Sequence, residues 1–327
     1  MIITKTPFRM SFFGGGTDIE EFFKEYGGAV ISTSIDKYCY VNVRHLPGFF
    51  DYSTELSYSK IERVTNIDDI QHPAIRNAMK MTELKDIRLT YEADLPARSG
   101  LGTSSSFAVG MLNAFHAMKG VSADKRRLAD DAIYLERILC NEAGGWQDQI
   151  AAAFGGLNKI QFVDSDYKVT PIDISKNRKY ELNDNLLMFF TGFTRLSSEI
   201  HRSNAVDKKA KNIHLKEMLG LVEESEKILI NETTNLDEFG RLLDYTWCLK
   251  RQTGSSVSTN NIDILYDRGL KAGALGGKLL GAGGGGFLVF YVRPEQKNAV
   301  KEAMKDLLYI PFEFENEGSR VIYNTLE

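Results

Sequence analysis

The segment from Pro96 to Ser106, Pro-Ala-Arg-Ser-Gly-Leu-Gly-Thr-Ser-Ser-Ser, concentrates groups that can hold an anion. Gly100 and Gly102 let the backbone turn and come close to a ligand. The hydroxyls of Thr103, Ser104 and Ser105 follow where a helix would begin. Free N–H groups and the positive end of the helix dipole collect at such a start, which suits a phosphate. A capped surface loop is the plainer alternative, because Gly and Ser are common in turns and Ser is a common N-cap.

Two more patches carry reactive side chains. Arg9 is followed by Gly14, Gly15, Gly16, Thr17 and Asp18. The glycines clear space for a bulky ligand against the backbone, Asp18 can accept from sugar hydroxyls, and Arg9 can place a fixed charge nearby. A flexible turn with Thr17 or Asp18 as N-cap stays open. Further on, Asp148 sits between Trp146, Ile150 and an alanine run, and a carboxylate in apolar company is a candidate base. A helix cap after Gly144-Gly145 is the other reading. Arg195, with neighbouring hydroxyls, could hold a substrate phosphate, although a solvated surface arginine is the more frequent case.

The elements that must position these groups follow from periodicity. Ile87–Tyr91 alternates as a strand, and Phe107, Met111, Leu112, Phe115 and Met118 recur at helical spacing up to Gly120. The anion turn therefore joins a strand to a helix. At the amino end, Ile2 and Ile3 begin a strand that Pro7 interrupts, and Ile19–Tyr26 reads as a helix. Val30–Ile35 and Tyr38–Val43 read as paired strands around Asp36-Lys37. The pattern predicts helices over Ala74–Met81, Ala123–Asn141, Asn204–Ile230, Leu236–Gln252 and Lys297–Leu307. On the helix Ala123–Asn141, Glu136 falls in an apolar row with Ala132, Ile133, Leu139 and Cys140 at i±3 and i±4, so no local basic partner exists. A carboxylate there must find a partner elsewhere, as an interdomain salt bridge or at a boundary. The polar stretch Asp173–Asp184 marks the expected domain boundary.

Gly281 to Gly286 fits Gly-x-Gly-x-x-Gly, but the β-prone run Phe287–Val292 follows it where a dinucleotide site needs a helix. No Gly-Lys-[Ser/Thr] closes a Walker A loop. A net charge of −4 argues against general nucleic-acid binding. Five histidines without ligand spacing argue against zinc, and three scattered cysteines against a disulfide framework. No apolar run approaches the roughly 20 residues of a membrane span, and the opening residues lack the shape of a signal peptide. The expectation is a cytoplasmic protein.

Pro96, Gly100, Leu101, Gly102, Thr103 and Ser104 together resemble the signature of the GHMP kinase superfamily. Arg9, Gly14, Thr17 and Asp18 match the N-terminal motif of its sugar-1-kinases, with Gly15-Gly16 in place of the Glu-His of galactokinases. That departure argues against galactose. Gly-Gly-Gly-Thr-Asp resembles the form in D-glycero-D-manno-heptose 7-phosphate kinases and in fucokinases. Gly145-Trp-Gln-Asp-Gln149 resembles the fucokinase form, and Ala151-Ala-Ala-Phe-Gly-Gly156 the heptose kinase form. The third family stretch, around Gly281–Gly286, braces the substrate and phosphate loops.

The resemblance implies an α+β fold in two domains. Residues 1–180 would form the N-terminal α/β domain and 181–327 a ferredoxin-like C-terminal domain, with the active site in the cleft between them. It implies ATP held by Pro96, Arg98, Ser99, Gly100, Leu101, Gly102, Thr103, Ser104 and Ser105, and Mg²⁺ held by Ser104 and Glu136. Asp148 would be the catalytic base, aided by Arg9. Gly14, Gly15, Gly16, Thr17, Asp18, Arg195, Gly283 and Gly284 would bind substrate. The expected partners are a phosphorylated sugar and ATP, with neither nucleic acid nor membrane, in a monomer or homodimer. The leading substrate is heptose 7-phosphate, converted to the 1,7-bisphosphate. Fucose is the alternative, as is a catalytically idle sugar-binding protein of the same fold.

Overall fold

A computed structural model of the chain describes residues 1–97, 99–192, 208–281 and 283–325. Among these, the strands form a nine-stranded and a four-stranded sheet. The larger is built on β1 (Ile2–Phe13) and β2 (Gly28–His45), which run antiparallel along nearly their whole lengths. β5 (Ile87–Ala93) pairs with the carboxyl half of β2, and β6 (Leu157–Val163) with the amino half. β3 (Thr54–Ser57) and β4 (Ile61–Val64) extend the sheet beyond β5, and β7 (Asp166–Pro171) extends it beyond β6.

The expected hairpin around Asp36-Lys37 is instead one continuous strand. The register slips between Pro7 and Phe8, so that Pro7 faces Tyr38 while Phe8 faces Ile35. Pro7 has no N–H to give to a ladder, so a bulge is where the sheet tolerates it. Asp36 and Lys37 are the residues looped out opposite. Nor does Pro7 end β1. Asp36 is paired from elsewhere: its N–H donates to Glu313 O at 2.8 Å, and its Oδ1 accepts from Glu313 N–H.

Helix α1 (Glu20–Tyr26) follows β1, α2 (Pro73–Thr82) precedes β5, and α3 (Thr103–Met118) follows it. α3 is buried along almost its whole length against β1 and β2, where Gly110 allows Thr4 Oγ1 to donate to its carbonyl at 2.9 Å. α4 (Lys125–Ile133) and α5 (Gln147–Phe154) complete this layer. The polar stretch 173–184 is no bare linker. It carries α6 (Lys176–Asp184), capped by Ser175, and buried Arg178 donates to the carbonyls of Ile228, Leu229 and Thr234.

The smaller sheet is antiparallel, in the order β11 (Leu308–Ile310), β8 (Leu186–Phe190), β10 (Phe287–Tyr291) and β9 (Gly276–Leu279). The helices Lys208–Ile230, Asp237–Gln252 and Asn260–Lys271 belong to this half. The chain then returns to the larger sheet through β12 (Phe314–Glu315), on β2, and β13 (Arg320–Asn324), on β1. Apart from the parallel pair β3–β5, the sheets are antiparallel and segregated from the helices, which makes this the expected α+β class.

One apolar core runs through both halves. Phe8, Met10, Phe12 and Phe13 of β1 pack with Leu280, Phe287 and Phe239. Phe239 meets the Phe12 and Phe13 rings edge-on, at centroid distances of 5.2 and 5.1 Å. Phe239→Ala is expected to cost about 3–5 kcal/mol of stability. Urea unfolding would measure it, and a loss below about 1 kcal/mol would contradict a shared core here.

Candidate active site

The site gathers where β1, the turn before α3 and the start of α5 meet. Arg9 N–H donates to Leu101 O at 3.1 Å, and Arg9 Nη1 donates to Gly100 O at 2.8 Å. β1 therefore holds the turn by backbone and side chain together. Gly100 has φ of +90°, and a Cβ on it would fall 2.2 Å from Leu280 O. Gly281 faces the same contact from the other side, and a Cβ on Gly286 would fall 2.1 Å from Ser99 O. The loop that begins at Gly281 and ends at Gly286 thus lays bare backbone on the anion turn at those two residues. It joins β9 to β10 as a hairpin, which disposes of the dinucleotide reading.

The hydroxyls at the start of α3 divide their work. Ser106 donates to Pro7 O at 2.9 Å and Ser105 to Glu136 Oε2 at 2.7 Å, both buried. Ser104 is exposed and donates to Glu136 Oε1 at 3.2 Å. Leu101 and Thr103 are buried, Ser99 is buried with its hydroxyl unpartnered, and Pro96 is exposed. Arg98 lies outside the described residues.

Glu136 is 1% exposed. The expected long helix ends at Ile133 and continues as a π-turn over Tyr134–Leu139. Such a turn carries one extra residue and turns its side chains off the α-helical rows. Glu136 then meets Ser104, Ser105 and the amide of Gln149. The absence of a basic neighbour inferred from α-spacing also fails: Arg137 Nη2 lies 3.6 Å from Glu136 Oε2. Burial pushes the Glu136 carboxyl up, while Ser105, Arg137 and Gln149 pull it back.

Asp148 lies in the first turn of α5, 28% exposed, and faces the start of α3. Arg9, 4% exposed, donates to Asp148 Oδ1 through Nε and Nη2, each at 2.8 Å. A Cβ placed on Gly102 would lie 3.4 Å from the Asp148 carboxylate. Asp148 therefore forms an ion pair rather than a cap. Its neighbour Gln147 donates its N–H to Asp18 Oδ2 at 3.3 Å, and Asp18 Oδ1 accepts from Gly16 N–H at 2.8 Å. Asp18 thereby ties the glycine loop to α5. Gly145 makes the tie possible, since a Cβ there would fall 1.9 Å from Asp18 Oδ2.

Neither Thr17 nor Asp18 caps α1, whose N-cap is Ile19. Thr17 is fully buried and exchanges hydrogen bonds with the Ala29 backbone, so it shapes the loop from beneath. Gly14 also packs on Ala29, while Gly15 is open toward Ser11 and Gln147. Gly283 and Gly284 pack against Ser256 and Val257, with Gly284 N–H donating to Val257 O at 3.2 Å. Arg195 lies outside the described residues.

Two lysines join the site that no local pattern singled out. Lys250 Nζ donates to Gly15 O at 2.9 Å, and Lys278 Nζ donates to Phe12 O at 2.8 Å. The one sequence signal was Lys278 itself, a lone charge in the otherwise apolar approach to the glycine brace.

Residues 70–156 match the sequence profile of the GHMP kinases N terminal domain, and residues 225–310 that of the GHMP kinases C terminal domain. D-glycero-alpha-D-manno-heptose 7-phosphate kinase of Campylobacter jejuni is 30% identical over 97% of each chain. L-fucokinase/L-fucose-1-P guanylyltransferase of Bacteroides fragilis is 25% identical over 89% of this chain and 34% of its own length. In overall fold, a crystal structure of D-glycero-D-manno-heptose 1-phosphate kinase from Bacteroides thetaiotaomicron superposes with a TM-score of 0.79. It is 24% identical and covers 99% of this chain and 100% of its own.

The chain belongs to the GHMP kinases. Within them it is a sugar kinase, a phosphotransferase with an alcohol group as acceptor. GHMP kinases use ATP. Among the described residues, no helix is long and apolar enough to cross a membrane.

Proposed function

We propose that the protein transfers the terminal phosphoryl group of ATP to the anomeric hydroxyl of D-glycero-D-manno-heptose 7-phosphate, giving the 1,7-bisphosphate. The observation that carries this reading is the Arg9–Asp148 pair. It touches the start of α3 on one side and, through Gln147 and Asp18, is tied to the glycine loop on the other. A carboxylate there stands between a phosphate cradle and a loop suited to a polyol. The likeness to the Campylobacter jejuni heptose 7-phosphate kinase over the whole chain supports the choice of sugar.

In this reading residues 1–180 carry the nucleotide turn, the glycine loop and the base, and the half built on the smaller sheet closes the cleft, while β12 and β13 return to the larger sheet. Phosphoryl transfer needs positioning and charge neutralisation more than covalent chemistry. The backbone of Gly100–Ser104 holds the nucleotide phosphates at the helix start. Asp148 accepts the proton of the attacking hydroxyl, and Arg9 fixes the carboxylate by holding Oδ1 from two nitrogens. Asp18 and Gly14–Gly16 seat the sugar.

Ser104 and Glu136 present the hard oxygen donors that Mg²⁺ prefers. Among the described residues no cluster of three or more acidic, His or Cys ligands exists. Mg²⁺ ordinarily completes its shell with nucleotide phosphates and water. When bound, it would supply charge neutralisation to those phosphates. Glu136→Gln should keep the shape of the pocket and lose its charge. We expect kcat to fall about 100-fold and the Mg²⁺ concentration for half-maximal rate to rise about tenfold. A Mg²⁺ titration that leaves both unmoved would remove Glu136 from this role.

A coupled assay of ATP consumption with heptose 7-phosphate, fucose, mannose and galactose tests the substrate. Turnover of fucose alone would replace heptose 7-phosphate with the second reading, which Gly145–Gln149 and the likeness to the Bacteroides fragilis fucokinase favour. No ATP consumption with any of the four would overturn both choices of sugar.

A further inference from the structure

Two donors from different helices converge on one oxygen of Glu136. Ser105, on α3, gives its hydroxyl to Oε2 at 2.7 Å. Gln149, on α5, gives its side-chain N–H to the same oxygen. Arg137 Nη2 lies 3.6 Å from it as well. Oε1, by contrast, has one partner among the described residues, the hydroxyl of Ser104 at 3.2 Å, and Ser104 is exposed. The carboxylate is therefore pinned through Oε2 and presents Oε1 beside the exposed hydroxyl.

Gln149 is the residue after Asp148. On an α-helix successive side chains diverge by about 100°, so α5 sends Asp148 to Arg9 and Gln149 to Glu136. One helical turn thus sets the base and the buried carboxylate relative to each other. A glutamine is unfavourable at this place. It is fully buried, and its Oε1 accepts no hydrogen bond among the described residues. An apolar side chain of the same length would fill the space without an orphaned oxygen. What the glutamine has that such a side chain lacks is the N–H on Glu136.

We propose that Gln149 is a positioning residue for the metal-binding carboxylate, an inference that rests on the reading of Ser104 and Glu136 as Mg²⁺ ligands above. It holds Oε2 from α5, so that Oε1 stays beside Ser104 and in register with Asp148. Its contribution is to the affinity for the ion, and it leaves the chemistry of Asp148 and the seating of the sugar alone. Partners that orient a ligating carboxylate typically account for about 10–100-fold in metal affinity.

The test compares the full chain with Gln149→Met, Glu136→Gln and the double variant. Mn²⁺, which takes the same oxygen-donor sites as Mg²⁺, is the probe. Loss of its free-ion paramagnetic resonance signal with enzyme and ADP, against ADP alone, reads binding without turnover. Gln149→Met should bind Mn²⁺ about tenfold more weakly. The Mg²⁺ concentration for half-maximal, sugar-dependent ATP consumption should rise by a similar factor. At saturating Mg²⁺, kcat should return to within about threefold of wild type. In the Glu136→Gln background the same substitution should change Mn²⁺ binding by less than about twofold, since the carboxylate it acts through has gone. Unchanged Mn²⁺ binding by folded Gln149→Met would overturn the inference. So would a fall in kcat that saturating Mg²⁺ does not restore, which would mark a displaced Asp148 instead, or a loss of binding that persists in full in the Glu136→Gln background. If Glu136→Gln itself binds Mn²⁺ as wild type does, the metal reading falls and this inference with it. If Glu136→Gln loses binding and Gln149→Met does not, the metal reading stands and the inference alone fails. Should Gln149→Met not fold, Gln149→Asn, which draws the amide back from Glu136 by one methylene, takes its place with the same expected and overturning results.

Discussion

Asp148→Asn is expected to lower kcat by about 1,000-fold, within the range that positioned general bases supply. The substitution keeps the volume of the side chain and an oxygen for Arg9, but removes the charge and the proton acceptor. KM for ATP should move by less than about threefold, because a base acts in the transition state rather than in nucleotide binding. The variant also leaves Arg9, only 4% exposed, without its counter-charge. Some loss of stability is therefore expected. Arg9 keeps its bond to Gly100 O, so the turn should survive. Urea unfolding alongside the kinetics separates the two effects. Near-normal turnover by folded Asp148→Asn would exclude Asp148 as the base.

Gly100→Ala is expected to cost about 3 kcal/mol or more, through two causes that can be measured apart. An alanine at φ of +90° is strained by about 1–3 kcal/mol wherever it occurs. Here the methyl would also fall 2.2 Å from Leu280 O, a backbone atom that cannot swing aside. Gly120, with φ of +71° and no atom within 4 Å of a Cβ, supplies the control for strain alone. Gly120→Ala should lose about 1 kcal/mol. The difference between the two midpoints in urea is the steric cost of parting the anion turn from the Gly281–Gly286 brace. The kinetics of Gly100→Ala should show a raised KM for ATP. Equal losses at the two positions would mean that the brace carries no packing energy.

The anion turn was legible because its signals are local. The strand Ile87–Ala93, the glycines and the helix Thr103–Met118 follow one another within about one supersecondary unit, and each residue specifies its own backbone. The same holds for the Gly281–Gly286 loop, where a following strand excluded a dinucleotide site. Asp148 and Arg9 were legible as chemistry, each being a charge set among apolar or glycine neighbours. What failed were inferences that assumed regular geometry. Asp36-Lys37 has the composition of a turn, yet a bulge opposite Pro7 absorbs it within β2. Glu136 was read against α-helical neighbours, and a π-turn gave it others.

By itself, then, the sequence determined which backbone could turn at an anion, which carboxylates stood in apolar surroundings, and that strands and helices segregate as α+β. These follow from backbone preference and from side-chain period, and both act within a few residues. The resemblance placed Arg9 by Asp148 and the Gly281–Gly286 stretch against the phosphate loop; the tertiary structure alone decided which atoms meet, with Arg9 on Asp148 Oδ1 and Gly281 on Gly100, and that Lys250 and Lys278 reach the loop at residues 12–16. Each of those contacts joins residues more than a hundred positions apart. Their partners are set by how two sheets share one apolar core, and a periodic pattern along the chain carries no record of that.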